Sequence, residues 1–420
     1  MKDRYRNILK LAAVAAAATT LACSEAPTDV QSVSPSASAS AEHFWDALAT
    51  TRWNTRATHL LQFTTPTPPN GQAWASRTLT YLSLAQYRAA LAATAPTNRS
   101  KHPSISAAVG RASVDILTHL YMETPGYSPP SAIPATLEQM LAADRSAPGW
   151  PGEANTDVAL GDAIGRQVAA AVWSQAQSDG YTAPATVTAF NAVQATRAVG
   201  AGYWVPNGAA VRSLWGVRPF FLDPATELIV APPPPSFADL QTAAAEVLSI
   251  KTSGTLAERQ SHDSIANFWN KVPANGPFTA GEWNQHAVAM IESHHRTEIE
   301  AARILAYANA AAFDSQIECF TTKYHYWVAR PAQVNNAIIP LFSTPNHPSY
   351  PSGHSCISSA FGAMLSYAFP DQASRDLMTA AVDEAGISRV YAGIHYMFDI
   401  HEGHAVGERA ATKARAGSLE

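Results

Sequence analysis

Apolar positions along this chain recur at intervals of three and four rather than two. Ile105, Val109, Ala112, Ile116 and Leu120 draw one stripe along a helix, and similar stripes fall near 71–93, 152–179 and 283–318. Alternating apolar and polar runs closed by hairpin turns are scarce, so little or no sheet is expected. Pro/Gly clusters at 64–71, 123–134 and 231–235 mark loops, and no repeat of fixed period is present. Taking the last cluster (APPPP) as a boundary, the pattern predicts an N-terminal helical domain over 43–235 and a C-terminal helical bundle over 236–420.

Composition agrees with packed helices. Of 420 residues, 47% are hydrophobic and only 15% charged, against about 25% charged in an average soluble domain. The formal charge is -5 and no block of Lys and Arg could track a nucleic-acid backbone, which removes nucleic acid as a partner.

Lys2, Arg4, Arg6 and Lys10 precede an apolar stretch from Leu11 to Ala22, the layout of a signal peptide over 1–22. Thr20-Leu21-Ala22-Cys23-Ser24 resembles a bacterial lipobox, so Cys23 is expected to carry a lipid; ordinary cleavage near Ala22 is the alternative. A Ser/Pro/Ala-rich linker over 23–42 follows. No later window reaches the roughly 18 consecutive apolar residues of a membrane span. The expected product is therefore exported, either a periplasmic or cell-surface lipoprotein anchored at Cys23 or a secreted protein. Cys319 and Cys356 remain, and a disulfide and two buried free thiols both stay open.

Candidate chemistry lies between 323 and 399. In the first of three segments, Lys323 and Arg330 stand seven residues apart, two turns of a helix, so their cationic ends can converge on one anion before Pro331 stops the helix. A solvated basic face at a helix end is the plainer reading. In the second, Pro351-Ser352-Gly353-His354 forces a turn that offers a hydroxyl and an approachable backbone N–H, or is an ordinary turn with a capping serine before a helix over 356–367. In the third, Ser388-Arg389 precedes His395 and Asp399, whose i, i+4 spacing lets the carboxylate accept the imidazole Nδ1–H and leaves Nε2 as nucleophile or metal ligand. Together these residues form a cage for a tetrahedral or trigonal-bipyramidal oxyanion.

The three motifs, K-x6-R-P, P-S-G-H and S-R-x5-H-x3-D, resemble the signature of the vanadium-dependent haloperoxidase and type 2 phosphatidic acid phosphatase superfamily. Weaker similarity to its bacterial haloperoxidase branch runs through Tyr203-Trp204-Val205-Pro206, Trp215 to Phe220, and Ala312-Phe313-Asp314. The resemblance implies an all-α fold of two four-helix-bundle-like halves with vanadate in the C-terminal one. Lys323, Arg330, Ser352, Gly353 and Arg389 would hold its equatorial oxygens, and His395 would be the axial ligand to vanadium. His354 would be the acid/base when hydrogen peroxide binds, Lys323 would polarise the peroxide, and Asp399 would orient His395. Halide would leave as a hypohalous acid equivalent that halogenates an organic acceptor. Phe320 and His347 match the halide pocket, where histidine resembles bromoperoxidases, so bromide or iodide is favoured.

Two other readings stand beside this one. The same cage suits an acid phosphatase in which His395 forms a phosphohistidine; a helical surface lipoprotein without catalysis is the second. His395, Asp399, His401 and His404 also look like a zinc cluster, although local hydrogen bonds suit His401 and His404 better. His294 and His295 read as an ordinary helix surface, and Asp314 as support for a cation or an exposed helix carboxylate. The oligomeric state is not legible, a homodimer being one option.

Overall fold

A computed structural model describes residues 48–68, 70–146 and 156–420. The leader, Cys23 and the linker lie outside the described residues. In chain order the helices are α1 (Ala49–Phe63), α2 (Gly71–Thr94), the single turn α3 (Pro96–Arg99), α4 (Ile105–Met122), α5 (Ile133–Ser146), α6 (Val158–Gln177) and α7 (Pro184–Ala195). After an irregular stretch come α8 (Phe237–Thr252), α9 (Leu256–Phe268), α10 (Phe278–Ser293), α11 (Glu298–Tyr326), the single turn α12 (Pro331–Val334), α13 (Gly353–Ala368), α14 (Gln372–Tyr391) and α15 (Met397–Ala416). Extended pairing among the described residues is limited to two isolated bridges, Pro103 with Asp157 and Tyr203 with Val328. No described helix is long and apolar enough to cross a membrane.

The helices start where side chains can satisfy their orphan N–H groups. Ser104 Oγ accepts from the Ala107 N–H at 3.0 Å, Asp157 from Leu160 at 2.8 Å, and Thr255 and Thr297 form capping boxes with Glu258 and Glu300. The Thr297 box has a consequence for the stripe expected over 283–318, which is two helices rather than one. His294 caps α10, His295 takes a left-handed φ of 51°, and α11 restarts at Glu298. His294 is thus not ordinary helix surface: its Nδ1 lies 2.8 Å from the Met290 carbonyl and its Nε2 3.3 Å from Asp371 Oδ2, which ties the end of α10 to the start of α14.

Helix α11 is buried on every face over most of its length and packs against α2, α13 and α15. One apolar cluster runs from Leu48 to Leu419, taking in Trp53, Trp74, Trp283, Phe313 and Phe361 from both sides of the proline run. Asp314, on α11, is neither exposed nor beside a cation. It is fully buried and accepts the backbone N–H groups of Phe220 (2.7 Å), Phe221 (2.7 Å) and Leu222 (3.2 Å), which clamps the irregular stretch onto the core.

Helix α15 meets α13 at backbone contact. A Cβ on Gly403 would lie 2.8 Å from the Ser352 carbonyl oxygen, and one on Gly407 would lie 2.6 Å from both the Cys356 carbonyl oxygen and the Ala360 nitrogen. These two glycines set how closely the Ser352-Gly353-His354 turn approaches the start of α15. Because the neighbours are backbone and cannot rotate away, Gly407→Ala is expected to destabilise the protein by about 2 kcal/mol. Denaturant midpoints of the variant and the parent check this.

Candidate active site

The three motif segments come together where α11 ends and α13 and α15 begin. Lys323 is in the last turn of α11, but the helix does not continue to Arg330 as the spacing suggested. Trp327 closes it in a left-handed conformation (φ 57°), its N–H reaching the Lys323 carbonyl at 3.0 Å, and the chain then runs extended beside Gly202 and Trp204. Convergence of the two cations comes from this reversal, not from a shared helix face. Pro331 opens α12, consistent with its missing N–H.

Lys323 is wholly buried, its Nζ donating to the carbonyls of Pro348 (2.9 Å), Ser349 (2.7 Å) and Pro351. Arg330 reaches the His347 carbonyl (3.0 Å), the Ile394 carbonyl (2.7 Å) and His395 Nε2 (2.9 Å), with His347 Nδ1 3.0 Å away. Arg389 donates to Ser388 Oγ (2.9 Å) and the Ala266 carbonyl (2.8 Å), and its guanidinium lies over the Phe342 ring. No direct bond joins Arg389 to the other predicted residues; its charge acts on the site through His354. Burial brings Lys323 down to about 8, Arg330 to about 10 and Arg389 to about 9.

Asp399 sits in the first turn of α15, and His395 lies just ahead of that helix rather than on it. The i, i+4 contact forms all the same, His395 Nδ1 lying 2.7 Å from Asp399 Oδ2. The same oxygen accepts from Ser349 Oγ (2.6 Å) and the Tyr396 N–H (3.1 Å), while Oδ1 has no protein partner. Burial raises Asp399 to about 6. The guanidinium at Nε2 can only donate, so His395 carries its hydrogen on Nδ1 and presents a lone pair at Nε2.

His354 has the opposite tautomer. Its Nε2 lies 2.9 Å from the Trp269 carbonyl, which can only accept, so the hydrogen is on Nε2 and the basic nitrogen is Nδ1. Burial first, then Arg389, holds this imidazole well below its ordinary range, as burial and Arg330 do for His347 and His395. Ser352 caps α13, its Oγ accepting from Ser355 N–H, and its own N–H bonds the Asp399 carbonyl at 2.9 Å. A Cβ on Gly353 would meet only Phe320, at 4.0 Å, so the turn borders open space. Gly353, His354 and His347 are partly exposed above the buried cations, and the Phe320 and His347 rings stand 4.9 Å apart.

Contacts from Trp269 and Thr279 to His354 were not legible in the sequence, because neither residue belongs to a motif. Cys319 and Cys356 are buried free thiols, and Cys319 Sγ donates to the Pro351 carbonyl at 3.8 Å. Among the described residues no group of three or more His, Cys, Asp or Glu could hold a metal ion; His401 is exposed and His404 Nε2 is buried without a partner.

Of three fully buried cations, Lys323 and Arg330 thus lie near the Asp399 carboxylate, which is engaged by His395, and Arg389 lies nearer His354. Among the described residues none of the three cations has an ion-pair partner. Buried charge of one sign without a partner is costly, and an oxyanion would relieve it. The donor set, with an imidazole lone pair beside it, fits vanadate or phosphate.

Residues 300–414 match the family model described as the PAP2 superfamily. Among solved structures the chain is similar to a bacterial vanadium-dependent iodoperoxidase, with 22% identity, 89% of this chain and 96% of that chain covered, and a TM-score of 0.65. It is also similar to a bacterial vanadium-dependent chloroperoxidase in its apo form (10% identity, 82% and 93% covered, TM-score 0.60) and holo form (12%, 85% and 94%, 0.59). No curated protein matches the chain. The fold is therefore the all-α fold of these haloperoxidase structures, and the segment that matches the PAP2-superfamily model carries the motif residues.

An oxyanion at about a hundredfold excess over its dissociation constant should stabilise the protein by about 2.7 kcal/mol, read as a rise in Tm. Lys323 is cationic below its value of about 8 and neutral above it, so its attraction is full at pH 7 and fades as pH rises through 8. Sulfate, whose charge is constant there, should bind more weakly at pH 9 than at pH 7 by calorimetry; an unchanged affinity would count against Lys323 as a ligand.

Proposed function

We propose that this protein is a vanadium-dependent haloperoxidase that oxidises bromide or iodide with hydrogen peroxide to a hypohalous acid equivalent. The observation that carries the reading is the trio of buried cations without ion-pair partners, two of them beside an imidazole whose hydrogen is held on Nδ1 so that its lone pair is at Nε2. Lys323, Arg330, Arg389, Ser352 and Gly353 would hold the vanadate oxygens, and His395 Nε2 would be the ligand to vanadium. Vanadate, when bound, supplies a Lewis acid that activates peroxide toward halide without a change in oxidation state.

The chain's own residues do the rest. Asp399, braced by Ser349 and the Tyr396 N–H, keeps the hydrogen on His395 Nδ1. Arg330 donates to the Nε2 lone pair, and that N–H would have to turn away for His395 to bind an electrophile there. His354 Nδ1 accepts a proton from peroxide and returns one to the departing oxygen. Lys323, wholly buried and held by three carbonyls, keeps a positive charge against the reacting oxygens. His347 and Phe320 border the partly open side, where a halide would approach. Expected export of the chain would place the oxidant outside the cytoplasm.

The same His395 lone pair could attack a phosphoryl group, so the test measures both chemistries. Peroxide consumption is followed with bromide and iodide, with and without orthovanadate, beside hydrolysis of an aryl phosphate. Vanadate-dependent halide oxidation is expected, and Lys323→Ala and His395→Ala should each lower it on the order of a thousandfold. Vanadate-independent ester hydrolysis with no halide oxidation would defeat the proposal.

A further inference from the structure

The nitrogen of His354 that carries its hydrogen is set by a corner of the chain far from the motif segments. The corner runs from Trp269, just after α9, to Thr279 in the first turn of α10, and lies outside the residues that match the superfamily model. The Trp269 carbonyl is 2.9 Å from His354 Nε2 and Thr279 Oγ1 is 3.1 Å from the same atom. A nitrogen that has given its hydrogen to a carbonyl has no lone pair left for a hydroxyl. The Thr279 oxygen therefore shares that hydrogen as a second acceptor.

The corner is built to hold still. Gln72 on α2 clasps it at both ends, its Oε1 accepting the Thr279 N–H at 3.2 Å and its Nε2 donating to the Lys271 carbonyl at 2.6 Å. Lys271 and Glu282 form a buried ion pair at 3.0 Å, and the Lys271 ammonium lies 3.7 Å over the Phe268 ring. Phe278, immediately before Thr279, has a φ of 63°, a region that bulky residues avoid. Its ring occupies the notch left by Gly71, where a Cβ would lie 2.5 Å from Phe278 Cζ. Such strain persists where the surroundings over-determine it, and it gathers at functional sites. Here it aims Thr279 at His354.

We propose that Thr279 is a positioning residue for His354: with the Trp269 carbonyl it fixes the hydrogen on Nε2 and so keeps Nδ1 as the proton-accepting nitrogen. The assignment rests on the reading of His354 as the acid/base, and it adds the element that decides which nitrogen does the work. The two site histidines then carry opposite tautomers by construction, His395 through Asp399 four residues away and His354 through a corner 75 and 85 residues away.

The test is the 15N spectrum of histidine-labelled, vanadate-free protein at a pH where His354 is neutral, assigned with His354→Gln. The parent should show His354 as the Nε2–H tautomer. Thr279→Val, which keeps the shape and removes the hydroxyl, should show a mixed signal, and Thr279→Ser should restore the parent spectrum. In the vanadate-loaded enzyme Thr279→Val should lower kcat about 3- to 10-fold, the worth of one neutral hydrogen bond, with KM for peroxide within about twofold. A parent spectrum of the Nδ1–H tautomer would overturn the assignment even if Thr279→Val failed to fold, and so would a Thr279→Val spectrum identical to the parent's. If the loaded protein oxidises no halide, the function reading fails while the spectrum still decides the tautomer.

Discussion

Everything in the candidate site follows from three buried positive charges with no carboxylate in ion-pair contact among the described residues. Helix α11 shows how unusual Lys323 is, because three residues of the charged types on that one helix are buried and each is handled differently. Asp314 is met by three backbone N–H groups, and Glu318 by Arg409 at 2.6 Å. Lys323 has three carbonyl dipoles and no carboxylate. Two arginines join it in the same interior, and each buried ion carries a desolvation penalty of several kcal/mol. Dipoles recover part of that. A ligand with several negative oxygens would recover more, so under the proposed function the anion would stabilise the folded site as well as serve its chemistry.

A pocket of this kind needs walls that do not yield. The carbonyls that hold Lys323 belong to the 348–351 loop, and that loop is fixed from both sides: the Ser349 N–H bonds the Val328 carbonyl at 2.9 Å, and the Tyr350 hydroxyl reaches the Pro232 carbonyl at 2.8 Å. The Tyr326 hydroxyl similarly holds the Ala231 carbonyl at 2.9 Å. The proline run expected to separate two domains therefore lies against residues that flank the site.

The sequence exposed the site residues because their chemistry is local in spacing. His395 and Asp399 meet as an i, i+4 pair predicts, even though His395 precedes the helix, since the first turn of α15 already brings N3 back over the residue ahead of the cap. The seven-residue spacing of Lys323 and Arg330 pointed to the right pair for the wrong geometrical reason. A left-handed Trp327 reverses the chain between them, and a non-glycine residue in that conformation leaves no signature in the sequence. Asp314 was misjudged for a related reason: its three donors lie 92 to 94 residues away, and only the tertiary structure brings them to it.

The division between local and distant contacts also separates the two imidazoles chemically. A histidine tethered by a carboxylate gains basicity at the far nitrogen, because the developing positive charge is stabilised by Asp399. That suits an atom meant to bind an electrophile. A histidine tethered by a neutral carbonyl gains orientation with much less added basicity, which suits a group that must give its proton back within one turnover. Arg389 acts in the same direction, disfavouring the imidazolium of His354. A carboxylate in place of the Trp269 carbonyl would strengthen the hold on His354 and weaken it as a proton donor, so the backbone acceptor is the fitting one. The corner that carries it must then be rigid by other means, which is the part played by Gln72 and the Lys271–Glu282 pair.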